Sequence, residues 1–229
     1  MNKFFEGVVS AEYFYLCIDD SNIPYPEYNL FASQGIYPFV KYEKELGLIN
    51  EYCFTITKTF SKQLEDAEQK LKIQKIEKIE PFAEGYGYFT SYEYEESLQG
   101  ILWDRQWLFE IVTAAQLVML LSSFFETKAR EIYEWFIKDK IIEIGAFDKK
   151  TAKIDMYLKS LQTKNCHLDK LDDIISFFRQ VRKVRNLFVH EQWDDLTRHL
   201  SEIKLCEIIG RISAAFYIIE DIYIKNRQN

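Results

Sequence analysis

The chain is predicted to be all-α: an antiparallel four-helix bundle over residues 101–229, preceded over residues 1–100 by a helical, aromatic-rich extension. Two observations predict this. Apolar residues recur at alternating spacings of three and four along several long stretches, the period of one helix face. The last four of these stretches are joined by short connections, which make successive helices antiparallel neighbours.

Residues 1–40 contain Pro24, Pro26 and Pro38 among many Tyr and Phe, and read as irregular, aromatic cover. Ile49, Cys53, Ile56, Phe60, Leu64, Ala67 and Leu71 then step by four or three, so a helix is expected from about Tyr42 to Ile79, ended by Pro81. Residues 81–100, with Gly85-Tyr86-Gly87-Tyr88, read as loop or short strand. Their alternating Tyr86, Tyr88, Tyr92 and Tyr94 suit an aromatic cover on the helices better than a surface for stacking RNA bases. Leu108, Ile111, Ala115, Val118, Ser122, Phe125, Ala129, Ile132 and Phe136 form an almost unbroken stripe, predicting one long helix from about Asp104 to Lys140. Gly145 breaks the chain and Asp148 can cap a shorter helix carrying Ile154, Tyr157, Leu158 and Leu161. Asp169 can start a third helix, carrying Ile174, Phe177, Val181, Val184 and Phe188. The stripe Leu205, Ile208, Ile212, Ala215, Ile219 and Ile222 is the fourth.

Composition excludes several classes. With 48% apolar and 28% charged residues and only 8 Gly and 4 Pro, the chain is neither disordered nor low-complexity. Its 18 Phe and 15 Tyr predict a core of large rings. The net charge of −7 argues against non-specific wrapping of nucleic acid. Charge is uneven, however: residues 1–100 carry a net −8 and residues 101–229 a net +1, and all the arginines lie in the second part. A small phosphate-handling site remains open there. The acidic first part would repel RNA, and is expected to shield a cleft or to dock a regulator.

Cys17, Cys53, Cys166 and Cys206 are scattered, which points to a reducing cytoplasm rather than a disulfide framework. Cys166-His167 lacks further ligands at metal-site spacing, so no metal or other cofactor is expected. Lys3, Glu6 and Glu12 do not make a signal peptide, and the fifteen uncharged residues Ile111–Phe125 are too few to span a bilayer, so no membrane partner is expected. Nucleotide-binding and nucleophile-elbow motifs do not occur, which argues against ATP hydrolysis and Rossmann chemistry.

Chemistry concentrates in Val181-Arg182-Lys183-Val184-Arg185-Asn186-Leu187-Phe188-Val189-His190. On a straight helix with Val184 set at zero, Phe177, Val181 and Phe188 lie within about 60° of it and face the core. His190 falls at about 240°, Asn186 at about 200° and Arg182 at about 160°. His190 therefore faces solvent, the N-terminal part or another subunit. Asn186, one turn back, can hydrogen-bond its imidazole and hold its orientation, while Arg182 and Arg185 supply permanent positive charge for a phosphate. His, Asn and two Arg suffice for cleaving a phosphodiester without a metal. A plain basic surface with a surface histidine is the alternative for the same residues.

Arg185, Asn186 and His190 resemble the R-N-x-x-x-H motif of HEPN domains, all-helical bundles that carry it near the end of the third long helix. Ser123-Phe124-Phe125-Glu126-Thr127-Lys128-Ala129-Arg130 is similar to that family's F-E-x-x-x-R segment. The similarity spans about residues 101–225. It implies a HEPN-type bundle and a metal-independent endoribonuclease, often a toxin or abortive-infection effector, with RNA, tRNA included, as substrate. It also implies a homodimer whose cleft joins the two sets of Arg and His, and an antitoxin or regulatory partner. By the resemblance, His190 is the general acid/base, Arg185 stabilises phosphate charge, Asn186 orients His190 or the phosphate, and Glu126 anchors Arg185. Some family toxins carry a modifiable Tyr two residues after the His; here Gln192 stands there and Trp193 follows. Trp193 can fill the dimer seam or stack on a base, the seam being the simpler role. Because some HEPN domains are not nucleases, a non-catalytic module binding nucleotide, RNA or a protein is the second reading.

Overall fold

The computed structural model describes residues 3–16, 27–83, 87–142, 153–162 and 168–227. It is all-α apart from a two-residue antiparallel ladder. A 3₁₀ turn (Lys3–Phe5) and a single helical turn, α1 (Tyr13–Leu16), precede α2 (Phe39–Glu77). The ladder β1 (Phe82–Ala83) with β2 (Gly87–Tyr88) leads to α3 (Ser91–Trp107), which continues through a π-helical segment (Leu108–Thr113) into α4 (Ala114–Lys138). Then come α5 (Lys153–Gln162), α6 (Leu168–Val189), α7 (Trp193–Leu200) and α8 (Leu205–Arg227). Gly145, Asp148, Cys166 and His167 lie outside the described residues.

The expected helices are present, with shifted ends. The helix placed at 42–79 spans Phe39–Glu77 and closes where Lys78, in the left-handed conformation, donates its N–H to Gln74 O. The segment 81–100 is not all irregular cover. Helix α3 begins at Ser91, behind a capping box in which Thr90 accepts from Glu93 N and the Glu93 carboxylate accepts from Thr90 N at 2.9 Å. Thr90-x-x-Glu93 was the available signal, hidden because aromatic residues flank it instead of an apolar stripe. Tyr94 packs on the cluster of Ala67, Leu71, Leu98 and Leu102 that joins α3 to α2, whereas Tyr92 is exposed and donates to Glu96 at 2.8 Å. Tyr86 lies outside the described residues.

The π-helical segment corrects the expected stripe. A π turn adds a residue to the helical repeat and slips the register by one. Leu108, expected in the core, is 44% exposed, and Phe109 is fully buried in its place. Phe109 lies between Phe5, at 4.0 Å and 18°, and Phe60, at 5.3 Å and 7°. Beyond the slip the stripe holds, with Ala115, Val118, Phe125, Ile132 and Phe136 all buried. By length and composition alone the continuous helix Ser91–Lys138 could cross a membrane, but most of its apolar window is buried within this fold, where α4 packs against α5, α6 and α8.

The boundary expected between residues 100 and 101 falls inside α3, and one core spans both parts of the chain. Phe31 meets Phe216 of α8 edge-on at 5.6 Å, and Tyr42 of α2 lies 5.6 Å from the same ring. Tyr28 OH donates to Asn50 Oδ1 at 2.6 Å, and Asn50 Nδ2 donates to Val9 O at 2.9 Å, so the N-terminal segment is tied to α2 through a buried polar network. Gly210 on α8 makes this approach possible, since a Cβ there would sit 2.8 Å from Tyr28 Cβ. The described part of the first hundred residues therefore contributes to the same core as residues 101–229. Residues 101–229 expressed alone are expected to lack a cooperative thermal transition by circular dichroism, because six of the fifteen buried aromatic residues described would be missing.

Buried Glu220 on α8 accepts hydrogen bonds from Ser33 Oγ at 2.7 Å, Gln34 N at 3.1 Å and Ile36 N at 3.4 Å. Backbone N–H groups thus satisfy the carboxylate and fix the entry to α2. Replacing Glu220 with Ala removes the shared acceptor of three partly buried donors, with an expected loss of about 1–3 kcal/mol in urea denaturation.

Candidate functional site

The second half of α6 is anchored by Val181, Val184 and Leu187, all buried, leaving Arg182, Arg185, Asn186 and His190 for its other faces. Arg185 reaches across to α4, where its Nη1 donates to Glu126 Oε2 at 3.1 Å. Both side chains are partly exposed, 27% and 36%, so the pair adds little stability but fixes the guanidinium beside open solvent. It links the two segments singled out in the sequence, the one at 123–130 and the one at 185–190. Phe125, beside Glu126, is buried against Phe178 of α6 at 4.3 Å, which sets the approach of the two helices.

His190 ends the helix. Its backbone N–H donates to Asn186 O at 3.0 Å, after which Glu191 takes the left-handed conformation. Glu191 N then donates to Phe188 O at 3.2 Å and Gln192 N to Leu187 O at 2.9 Å, the paired bonds of a Schellman stop. The His190 and Asn186 side chains are both exposed, and no hydrogen bond joins them. That expectation is corrected: the helical bond between the two residues uses Asn186 O, and the amide stays free in solvent.

Arg182 departs from the expected set. Its Nη2 donates to Asp155 Oδ1 of α5 at 3.1 Å, beside Arg179 Nε on Oδ2 at 2.9 Å, and only 18% of its side chain is exposed. The face at about 160° on the wheel is the one α5 packs on, so Arg182 neutralises a buried carboxylate instead of standing with His190. Asp155 was missed. Its signal was a carboxylate between Ile154 and Leu158 on the buried side of a short helix, which requires a cation from a neighbour.

Trp193 also departs from the wheel, because the Schellman stop ends the helix that the wheel continued. It begins α7 and packs at 5.4 Å against Trp107 and at 5.7 Å against Phe188. Helix α7 itself was not foreseen; Asp194 and Asp195 in its first turn, Arg198 and His199 in its last, and buried Leu196 and Leu200 four apart were the signal.

Lys128 of the 123–130 segment is structural. Lys128 Nζ lies 2.8 Å from Glu45 of α2 and 3.3 Å from Glu131, with the Tyr42 ring at 5.1 Å. Burial opposes the charge on Lys128, but the two carboxylates outweigh it and hold the ammonium above its usual range. Next to the Glu126 pair, burial raises the Tyr157 hydroxyl, whose ring lies 4.9 Å from Tyr133. The open part of the site is thus Arg185 with Glu126, Asn186 and His190: one fixed cation, one amide and one imidazole at a helix end.

No protein-family model, curated protein or solved structure matches the chain.

Proposed function

We propose that the chain is a HEPN-type, metal-independent endoribonuclease whose site is the end of α6, completed by a second copy of the chain. The single observation that carries this reading is the 3.1 Å Arg185–Glu126 pair, which joins the two motif-bearing segments beside an exposed His190. In the reaction, His190 takes the proton of an RNA 2′-hydroxyl as that oxygen bonds to the adjacent phosphorus. The bond from phosphorus to the 5′ oxygen breaks, the leaving oxygen is protonated by the partner's His190, and a 2′,3′-cyclic phosphate and a 5′-hydroxyl result. Arg185 faces the charge that builds on the phosphoryl oxygens, and Glu126 keeps its guanidinium in place until phosphate competes for it. Asn186, its amide open to solvent, holds the phosphate. Arg182 and Trp193 take supporting roles: Arg182 stiffens α6 through Asp155, and Trp193 braces the helix end on Trp107.

Support for a homodimer comes from the order of charge along the exposed strip. Arg179 and Lys183 precede Asn186 and His190, and Glu191, Asp194 and Asp195 follow them, all exposed. A two-fold axis near Asn186 sets each basic end against the partner's acidic end. RNA, tRNA included, is the substrate class, and a toxin or anti-phage effector in the cytoplasm, held in check by an antitoxin or regulatory protein, is the role that suits it. The test is total bacterial RNA incubated with the protein in EDTA and resolved on a denaturing gel beside the His190→Ala protein. Discrete fragments from the parent alone are expected. Intact RNA in both lanes, with RNA still bound, would favour the second reading, a non-catalytic binding module in which Glu126 permanently occupies Arg185.

A further inference from the structure

We infer that the slot between α2 and α3 binds an aromatic anion bearing an N–H donor, the chemistry of a purine nucleotide. The slot has a volume of about 380 Å³, within the range of small-molecule sites. Buried Ala67 and Leu98 form its apolar walls. Around its opening stand Ile73, Ile79 and Ile101, 39%, 43% and 42% exposed, so three of the chain's solvent-facing aliphatic side chains gather at one mouth.

Three features name the ligand. Gln74 lines the slot and is 1% exposed; its Nε2 is committed to Ile79 O at 2.8 Å and Ser91 O at 3.1 Å, while its Oε1 is buried and accepts no hydrogen bond. An acceptor left in that state is costly, and an N–H donor from a ligand relieves it. Among the described residues, Lys70 and Arg105 are the charged side chains lining the slot and no carboxylate lines it, so the complementary ligand is an anion. Arg105 commits its Nη1 to Gln63 O at 3.0 Å and keeps its other donors. A gap between two packed helices admits a flat body, and Tyr94 is the aromatic side chain that lines it. The site lies on elements other than α4 and α6 and is independent of the ribonuclease reading.

The test uses the full chain and 8-anilinonaphthalene-1-sulfonate, an aromatic anion with one N–H, as reporter, displaced by AMP or GMP. Ile101→Trp plugs the mouth from an exposed position, and Lys70→Met with Arg105→Met removes the cations. The parent is expected to bind the dye, to release it to a purine monophosphate and to melt at a higher temperature when that nucleotide is present. Both variants are expected to bind at least about tenfold more weakly with unchanged circular dichroism. Equal dye binding by parent and Ile101→Trp, or no displacement by either nucleotide, would overturn the assignment.

Discussion

His190→Ala is expected to lower the rate of RNA cleavage by about 10²–10⁴-fold, the usual contribution of a positioned general acid/base, while leaving thermal stability within about 0.5 kcal/mol of the parent. Stability is spared because the imidazole is exposed and holds no partner in the fold; only the backbone of residue 190 takes part in ending α6. Arg185→Ala should cut activity comparably, but with a small stability cost from leaving Glu126 unpaired. Arg182→Ala separates the roles: it should destabilise the α5–α6 contact, because Asp155 is buried and would keep only Arg179, while affecting cleavage far less than His190→Ala. Single-turnover cleavage of a labelled RNA, with chemical denaturation of each variant, reads both quantities.

Phe109→Ala is expected to cost about 3–5 kcal/mol, enough to unfold much of the population at physiological temperature. Its ring is fully buried between Phe5 and Phe60, so truncation opens a cavity walled by two aromatic faces in a close-packed core. Leu108→Ala, one residue earlier, should cost well under 1 kcal/mol, since that side chain is 44% exposed. A straight helix through the stripe predicts the reverse order, so urea denaturation of the two variants tests the π-helical register directly.

How much was legible follows from where each signal lived. The helices with stripes of three and four, α2, α4, α6 and α8, were readable because the period of burial is written in apolar side chains. Helix α3 was hidden because it buries only Leu98 and Leu102, and its signal was a capping box. Leu108 was placed in the core stripe and Phe109 left out of it because a π turn leaves no mark in apolar spacing. Of the candidate site, the Arg185–Glu126 pair was legible from two separate segments, whereas Arg182 and Trp193 were misplaced for opposite reasons. Arg182 was claimed by a carboxylate on another helix, which a wheel of α6 cannot include. Trp193 was carried off its wheel by a backbone stop at Glu191, a non-glycine residue in a conformation that glycine usually signals.

Cleavage of RNA by His190 and Arg185 through its own 2′-hydroxyl, without a metal, would leave its mark on the product ends. The most direct measurement is end-group analysis of the products in EDTA, beside the same RNA carrying a single 2′-deoxy substitution at the mapped cleavage position. A 2′,3′-cyclic phosphate and a 5′-hydroxyl are expected from the parent RNA, with no cut at the substituted position. Cleavage that persists at the 2′-deoxy position, or products ending in a 5′-phosphate, would contradict that chemistry.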